Sequence, residues 1–161
     1  MAARSFKLSI NGAARELLAE EDMPLIYALR NDLDLKGTRF GCGVNQCGAC
    51  HVLIDGHSVP ACDTPVWAAE GKNVVTVEGL AGKDALHPLQ QAFIDEQAAQ
   101  CGYCISGILV TASALLANIP QPSEAQVREA LDKHLCRCGS HNRIVRAVLR
   151  AADAMSEKST A

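Results

Sequence analysis

The chain has 161 residues, 48% hydrophobic and 20% charged, with a net charge of −3. This length and composition suit a packed core and exclude an intrinsically disordered chain. Acidic and basic residues are interspersed, so no basic face for nucleic acid is expected. The longest apolar stretch, Ile105 to Ile119, is too short and too often interrupted to span a bilayer.

The first half reads as mostly strand. Phe6, Leu8 and Ile10 alternate with Lys7 and Ser9, and Asn11-Gly12 follows as a hairpin turn. Pro24 to Arg30 predicts a short helix with proline in its first turn. His51 to Ile54 runs into Asp55-Gly56, a second hairpin signal, and returns through Val59 to Cys62. Val74 to Val77 is a further β-branched run. Three or four strands crossed by one helix are expected, in an α+β unit ending near Leu80.

The second half reads as helix. Leu86, Leu89, Phe93 and Ile94 share one helical face, with Pro88 at the start. Ile108 to Leu116 predicts a second helix, stopped before Pro120 and Pro122. Ser123-Glu124-Ala125-Gln126 is a capping box opening a third, and Ile144, Val148, Leu149 and Ala152 mark a fourth. Four helices of this length suit a compact bundle. Residues 1–80 and 81–161 are therefore expected as two domains joined at Gly82-Lys83-Asp84, with a frayed polar tail from Ser156 to Ala161.

Eight cysteines stand against three phenylalanines, two tyrosines and one tryptophan. MAARSFKLSI lacks the features of an export signal. A cytoplasmic, reducing location is expected, with membrane association or co-export through a partner as the alternative, and a reducing compartment favours ligands over disulfides. Spacing divides the cysteines into two sets of four. Cys42, Cys47, Cys50 and Cys62 read C-x4-C-x2-C-x11-C, the plant-type ferredoxin spacing for a [2Fe–2S] cluster. Gly41, Gly43 and Gly48 let such a loop turn its thiolates inward and bring backbone N–H groups to the sulfurs. Arg39 is expected to help compensate the same negative charge. Zinc, which usually takes two close-spaced dyads, fits this set poorly.

Cys101, Cys104, Cys136 and Cys138 read C-x2-C-x31-C-x-C, with both dyads placed at one end of the helical half. On spacing alone this second set suits either a cluster or zinc. His51, His57, His87, His134 and His141 are read as surface or ordinary hydrogen-bonding residues, since both cysteine sets are already complete. Trp67 is read as an anchor of core or interface. Arg137 is matched to either a partner's cofactor or local charge compensation. Arg143, Arg146 and Arg150 form a helical stripe read as a solvated face or a contact for an acidic partner.

Gly41 to Cys50, Cys62, Gln100-Cys101-Gly102-Tyr103-Cys104 and Leu135-Cys136-Arg137-Cys138-Gly139 together resemble the small iron–sulfur subunit of molybdenum hydroxylases, the xanthine oxidase and aldehyde oxidoreductase family. The resemblance runs from about Phe6 to about Ala152. It implies an N-terminal ferredoxin-like β-grasp domain and a C-terminal four-helix domain, each with one [2Fe–2S] cluster. It also implies that Gln100 and Cys138 face a molybdopterin on a separate large subunit, with the first set further out toward an acceptor. Val44-Asn45-Gln46 departs from the Glu-Gly-Gly of xanthine oxidases, and His141 and Asn142 stand where the family often has tyrosine. The 43–46 loop and Phe93 to Gln100 look most like isoquinoline- and nicotinate-type dehydrogenases, which implies that the acceptor is a cytochrome c rather than a flavin subunit. A protein of that kind relays electrons and has no catalytic residues of its own. A free-standing ferredoxin and a zinc-stapled interaction module are the alternative functions.

Overall fold

The computed structural model describes residues 3–82 and 84–159. Strand β1 (Arg4–Ile10) pairs antiparallel with β2 (Ala13–Ala19), and β3 (His51–Ile54) pairs antiparallel with β4 (His57–Pro60). Strand β5 (Asn73–Val75) enters between them, parallel to β1 and antiparallel to β3. The result is one mixed five-stranded sheet in the order β2-β1-β5-β3-β4. Both predicted hairpin turns form, with Asn11-Gly12 at φ 52° and 76° and Asp55-Gly56 at 50° and 83°. Two successive positive φ values twist the turn in the sense the strands require.

The sheet exceeds the expected three or four strands because β2 carries a weak signal. Arg15, Glu16 and Leu18 are exposed, and only Leu17 and Ala19 are buried beneath the sheet. The β-branched run is shorter than expected. Thr76 leaves the ladder because its amide donates to Asn11 Oδ1 (2.9 Å) and its hydroxyl accepts from Asn11 Nδ2 (3.0 Å).

The predicted helix after Pro24 is one turn, α1 (Leu25–Tyr27), continued by a wide π-type turn over Ala28–Asp32. It crosses the sheet because Leu25, Ile26, Ala28 and Leu29 are all fully buried against Phe6, Val52, Val66 and Val74. Removing such side chains from water stabilises by about 1.5–3 kcal/mol each.

The second half holds α2 (Pro88–Asp95), α3 (Ile105–Asn118), α4 (Glu124–Ala130) and α5 (His141–Ser159). Their inward faces form a second core that includes Leu89, Phe93, Ile108, Leu116, Val127, Ile144 and Val148. The Ser123/Gln126 capping box is present at α4. The first predicted helical face is narrower than expected: Leu86 precedes α2 and is 49% exposed, and Ile94 is 60% exposed. The expected frayed tail is also corrected, since α5 continues from Ser156 through Ser159. Its last two residues, and Lys83 of the predicted joint, lie outside the described residues.

Helix α3 joins the two halves. Its buried face serves the second core while its other side lies on β3. Gly107 makes this possible: a Cβ there would collide with the carbonyl oxygen of Gly48. The arginine stripe of α5 is a solvated face, with Arg143, Arg146 and Arg150 all exposed, and it also carries ion pairs within the chain. Arg146 and Arg150 pair with Glu96 at 3.3 and 3.2 Å, Arg150 also reaches Asp95 at 3.3 Å, and Arg143 donates to Gln97 O at 3.4 Å.

Candidate iron–sulfur centres

The first cysteine set lies on an irregular loop between α1 and β3, closed by Cys62 beyond β4. Its backbone takes positive φ at Gly43 (72°), Asn45 (53°) and Gly48 (74°). Two glycines are required by contact. A Cβ on Gly41 would stand 2.5 Å from Cys47 Sγ, and one on Gly48 would enter the His134 ring. The turning loop aims amides at sulfur. Val44 N and Gln46 N donate to Cys42 Sγ at 3.4 and 3.2 Å, and Cys42 N donates to Cys47 Sγ at 3.3 Å.

These donors favour thiolate. The amides of Val44 and then Gln46 bring the Cys42 thiol down to about 7, whereas burial pushes Cys50 up to about 12. Cys42 is exposed, Cys47 half-buried, and Cys50 and Cys62 buried. The set thus runs from the protein surface into the first core.

The second set forms where the loop before α3 meets the loop between α4 and α5. Cys138 acts on the Cys101 thiol and Cys136 on the Cys104 thiol, so the two dyads are near neighbours. The Tyr103 amide is the main cause of a lowered Cys101 thiol, followed by Cys138. Burial raises Cys104 to about 12. Burial also opposes ionisation of Cys136, but the Ser140 amide and then Cys104, Cys138 and Gly139 bring it below the ordinary range. In both sets four sulfurs, amide donors and side-chain-free backbone fit the donor chemistry of a thiolate-held cluster.

The sets are neighbours. A cavity of about 310 Å³ is lined by Cys42 and Cys47 of the first and Cys101 and Cys104 of the second, with Tyr103, Leu135 and Arg137 around it. Leu135 N donates to Cys47 O at 3.1 Å. Ser106 Oγ donates to Ala49 O at 3.5 Å, and the hydroxyls of Ser58 and Thr111 are hydrogen-bonded at 2.6 Å. Contacts of this kind leave no mark in sequence spacing. Gly107 did leave one, because glycine inside a helical pattern costs about 1 kcal/mol against alanine and so marks a position with a reason other than propensity.

The remaining predicted residues fall as follows. Gln100 is exposed immediately before Cys101. Arg39 closes the first loop with its amide, which donates to Ala49 O at 3.4 Å, while its guanidinium lies 6.0 Å from the Tyr103 ring centre. Arg137 is exposed between its two cysteines. Trp67 is 50% exposed and so does not anchor the core.

Among the histidines, His57 is exposed and His51 Nδ1 is bonded to Ser58 Oγ at 2.7 Å. His134 departs from the expectation of a surface or ordinary residue. It is 3% exposed, meets the His51 ring edge-on at 4.9 Å, and lies against Gly48. Burial, and secondarily His51, lowers its pKa to about 4, so it is neutral at physiological pH.

Two loops presenting four thiols each, one on a mixed sheet and one among helices, define a two-centre iron–sulfur protein. Residues 8–81 match the 2Fe-2S iron-sulfur cluster binding domain family and residues 76–149 the [2Fe-2S] binding domain family. The chain is 54% identical over 149 residues to a nicotinate dehydrogenase subunit of Pseudomonas putida, covering 92% of this chain and 95% of that one. It is 51% identical over 132 residues to the alpha subunit of isoquinoline 1-oxidoreductase from Brevundimonas diminuta, covering 82% and 86%. A chain of the crystal structure of quinoline 2-oxidoreductase from Pseudomonas putida 86 superposes with a TM-score of 0.92 at 38% identity, covering 98% of each. The chain belongs to the small [2Fe–2S] subunits of the molybdenum hydroxylase family. It is accordingly part of an oxidoreductase, and its fold is α+β. Among the described residues no helix is long and apolar enough to cross a membrane.

Proposed function

We propose that this chain relays electrons from a molybdopterin centre on a large partner subunit to an external acceptor, a cytochrome c in preference to a flavin subunit. Cys42, Cys47, Cys50 and Cys62 would hold one [2Fe–2S] cluster in a β-grasp domain of residues 1–80. Cys101, Cys104, Cys136 and Cys138 would hold the other in a four-helix domain of residues 81–161. Each cluster, when bound, supplies one-electron redox chemistry. The partner would hydroxylate an N-heteroaromatic or aldehyde substrate, and the complex would reside in the cytoplasm.

The protein's share of this work is holding, spacing and shielding. The Val44 and Gln46 amides offset thiolate charge at Cys42, and the Tyr103 and Ser140 amides do so at Cys101 and Cys136. Hydrogen bonds to sulfur and burial are the means by which a protein sets cluster potential. Exposed Gln100 and half-buried Cys138 would face the molybdopterin subunit, and exposed Cys42 the acceptor. The observation that carries the proposal is the Leu135–Cys47 backbone hydrogen bond, which brings the two cysteine loops into direct contact. A free ferredoxin needs only the first set.

The test is electron paramagnetic resonance of the dithionite-reduced complex, with iron, sulfide, zinc and molybdenum counted on the same sample. Two distinct [2Fe–2S] signals, about four irons per chain and co-purifying molybdenum are expected. One signal with about one zinc would overturn the proposal in favour of a zinc-stapled docking module.

A further inference from the structure

We propose that Tyr103 is a positioning residue for electron transfer between the two cysteine sets, a latch that fixes the exposed edge of one loop to the other. The inference rests on the reading of both sets as cluster ligands. Tyr103 stands between Cys101 and Cys104, yet its hydroxyl donates across the seam to the carbonyl oxygen of Phe40, two residues before Cys42. That one side chain therefore bonds to the backbone entering the first set while its own amide serves Cys101 of the second.

The receiving segment is held from behind. The Phe40 ring stacks on Tyr27 with centroids 5.9 Å apart and planes inclined by 23°. It also lies so close to Gly43 that a Cβ there would meet the ring at 3.0 Å. Arg39 lies over the Tyr103 ring, and Tyr103 lines the cavity between the two sets. The Ser58–Thr111 and Ser106–Ala49 contacts tie the seam beneath, on α3. At the open edge, where Cys42 and Cys101 are both exposed, the phenol does so.

A loop edge held at one separation matters because electron transfer between two centres falls steeply with distance. Solvent entering the cavity would also change the charge stabilisation each cluster receives. The chemistry asks for a phenol: phenylalanine preserves the apolar ring but leaves the Phe40 carbonyl without this donor.

The experiment compares the purified complex with its Tyr103→Phe variant. Iron and sulfide are counted, the magnetic splitting between the two reduced signals is measured, and a redox titration follows both signals. The variant is expected to retain about four irons per chain while the splitting narrows and the division of one electron between the centres shifts about tenfold. That shift is about 59 mV for a one-electron couple. A fully loaded variant with unchanged splitting and division overturns the latch, whereas wild-type protein lacking two [2Fe–2S] signals overturns the ligand reading beneath it. Should Tyr103→Phe lose iron, fluorotyrosine at position 103 reads the same contact, keeping the ring and strengthening the donor. An electron division unmoved by fluorotyrosine overturns the latch, and a shifted division with both centres loaded supports it.

Discussion

The backbone amide of Leu135 donates to the carbonyl oxygen of Cys47 at 3.1 Å, so the residue preceding Cys136 is bonded to a cysteine of the other set. The Leu135 side chain takes little part, being 63% exposed. Backbone and side-chain roles can therefore be separated by substitution. Leu135→Ala is expected to change stability by no more than about 0.5 kcal/mol. Leu135→Pro removes the donor and is expected to cost about 1–3 kcal/mol. Denaturant unfolding of the two variants checks the contrast, and equal losses would refute it.

The two cysteine sets are expected to fail separately. Cys47→Ser is predicted to abolish the signal of the first centre and slow delivery to the acceptor, while substrate still reduces molybdenum. Single-turnover spectra would contradict the proposed order if that reduction were lost. Cys104→Ser is predicted to remove the second signal and weaken assembly with the large subunit, which native mass measurement would report.

Gly107 sets helix propensity against packing. In an isolated helix, Gly→Ala is favourable by about 1 kcal/mol. Here the added methyl would meet the Gly48 carbonyl and the backbone of Ala49, neither of which is a flexible side-chain end. Gly107→Ala is predicted to destabilise by about 1–3 kcal/mol and to loosen iron in the first centre. Thermal unfolding with iron retention measured on the same samples decides the sign.

His87 provides a pH-dependent cap. Its Nδ1 accepts from Leu89 N at 3.2 Å at the start of α2, and burial lowers its pKa from 6.5. Only the neutral ring can accept this bond. The contribution is present in full above the unfolded value of 6.5 and is lost as pH falls through the depressed folded value. His87→Ser, a non-titrating cap, is predicted to flatten this part of the profile. The wild-type cap is worth about 1 kcal/mol. Urea unfolding of both proteins at pH 7.5 and below the depressed value measures the difference, and parallel profiles would refute it.

Local chemistry was readable residue by residue. Asn11-Gly12 and Asp55-Gly56 form their turns, and Ser123 with Gln126 caps α4, because a few adjacent residues decide those conformations. β2 and the end of β5 were less legible. Ala13–Ala19 becomes a strand through pairing with β1, and Thr76 leaves β5 through its bonds to distant Asn11. Likewise, Arg146 and Arg150 meet Glu96 only because α2 and α5 pack together.

The sequence by itself determined the eight cysteines, their division into two sets and the glycines that let each loop turn. Thiolate chemistry imposes spacing, and spacing is written in the chain. Only the tertiary structure decided that the sets adjoin, that Gly107 rests on Gly48, that His134 is buried beside His51, and that Tyr103 reaches Phe40, 63 positions away. Those relations arise where α3 packs on β3, and no local periodicity specifies which atoms two independently formed cores will bring together.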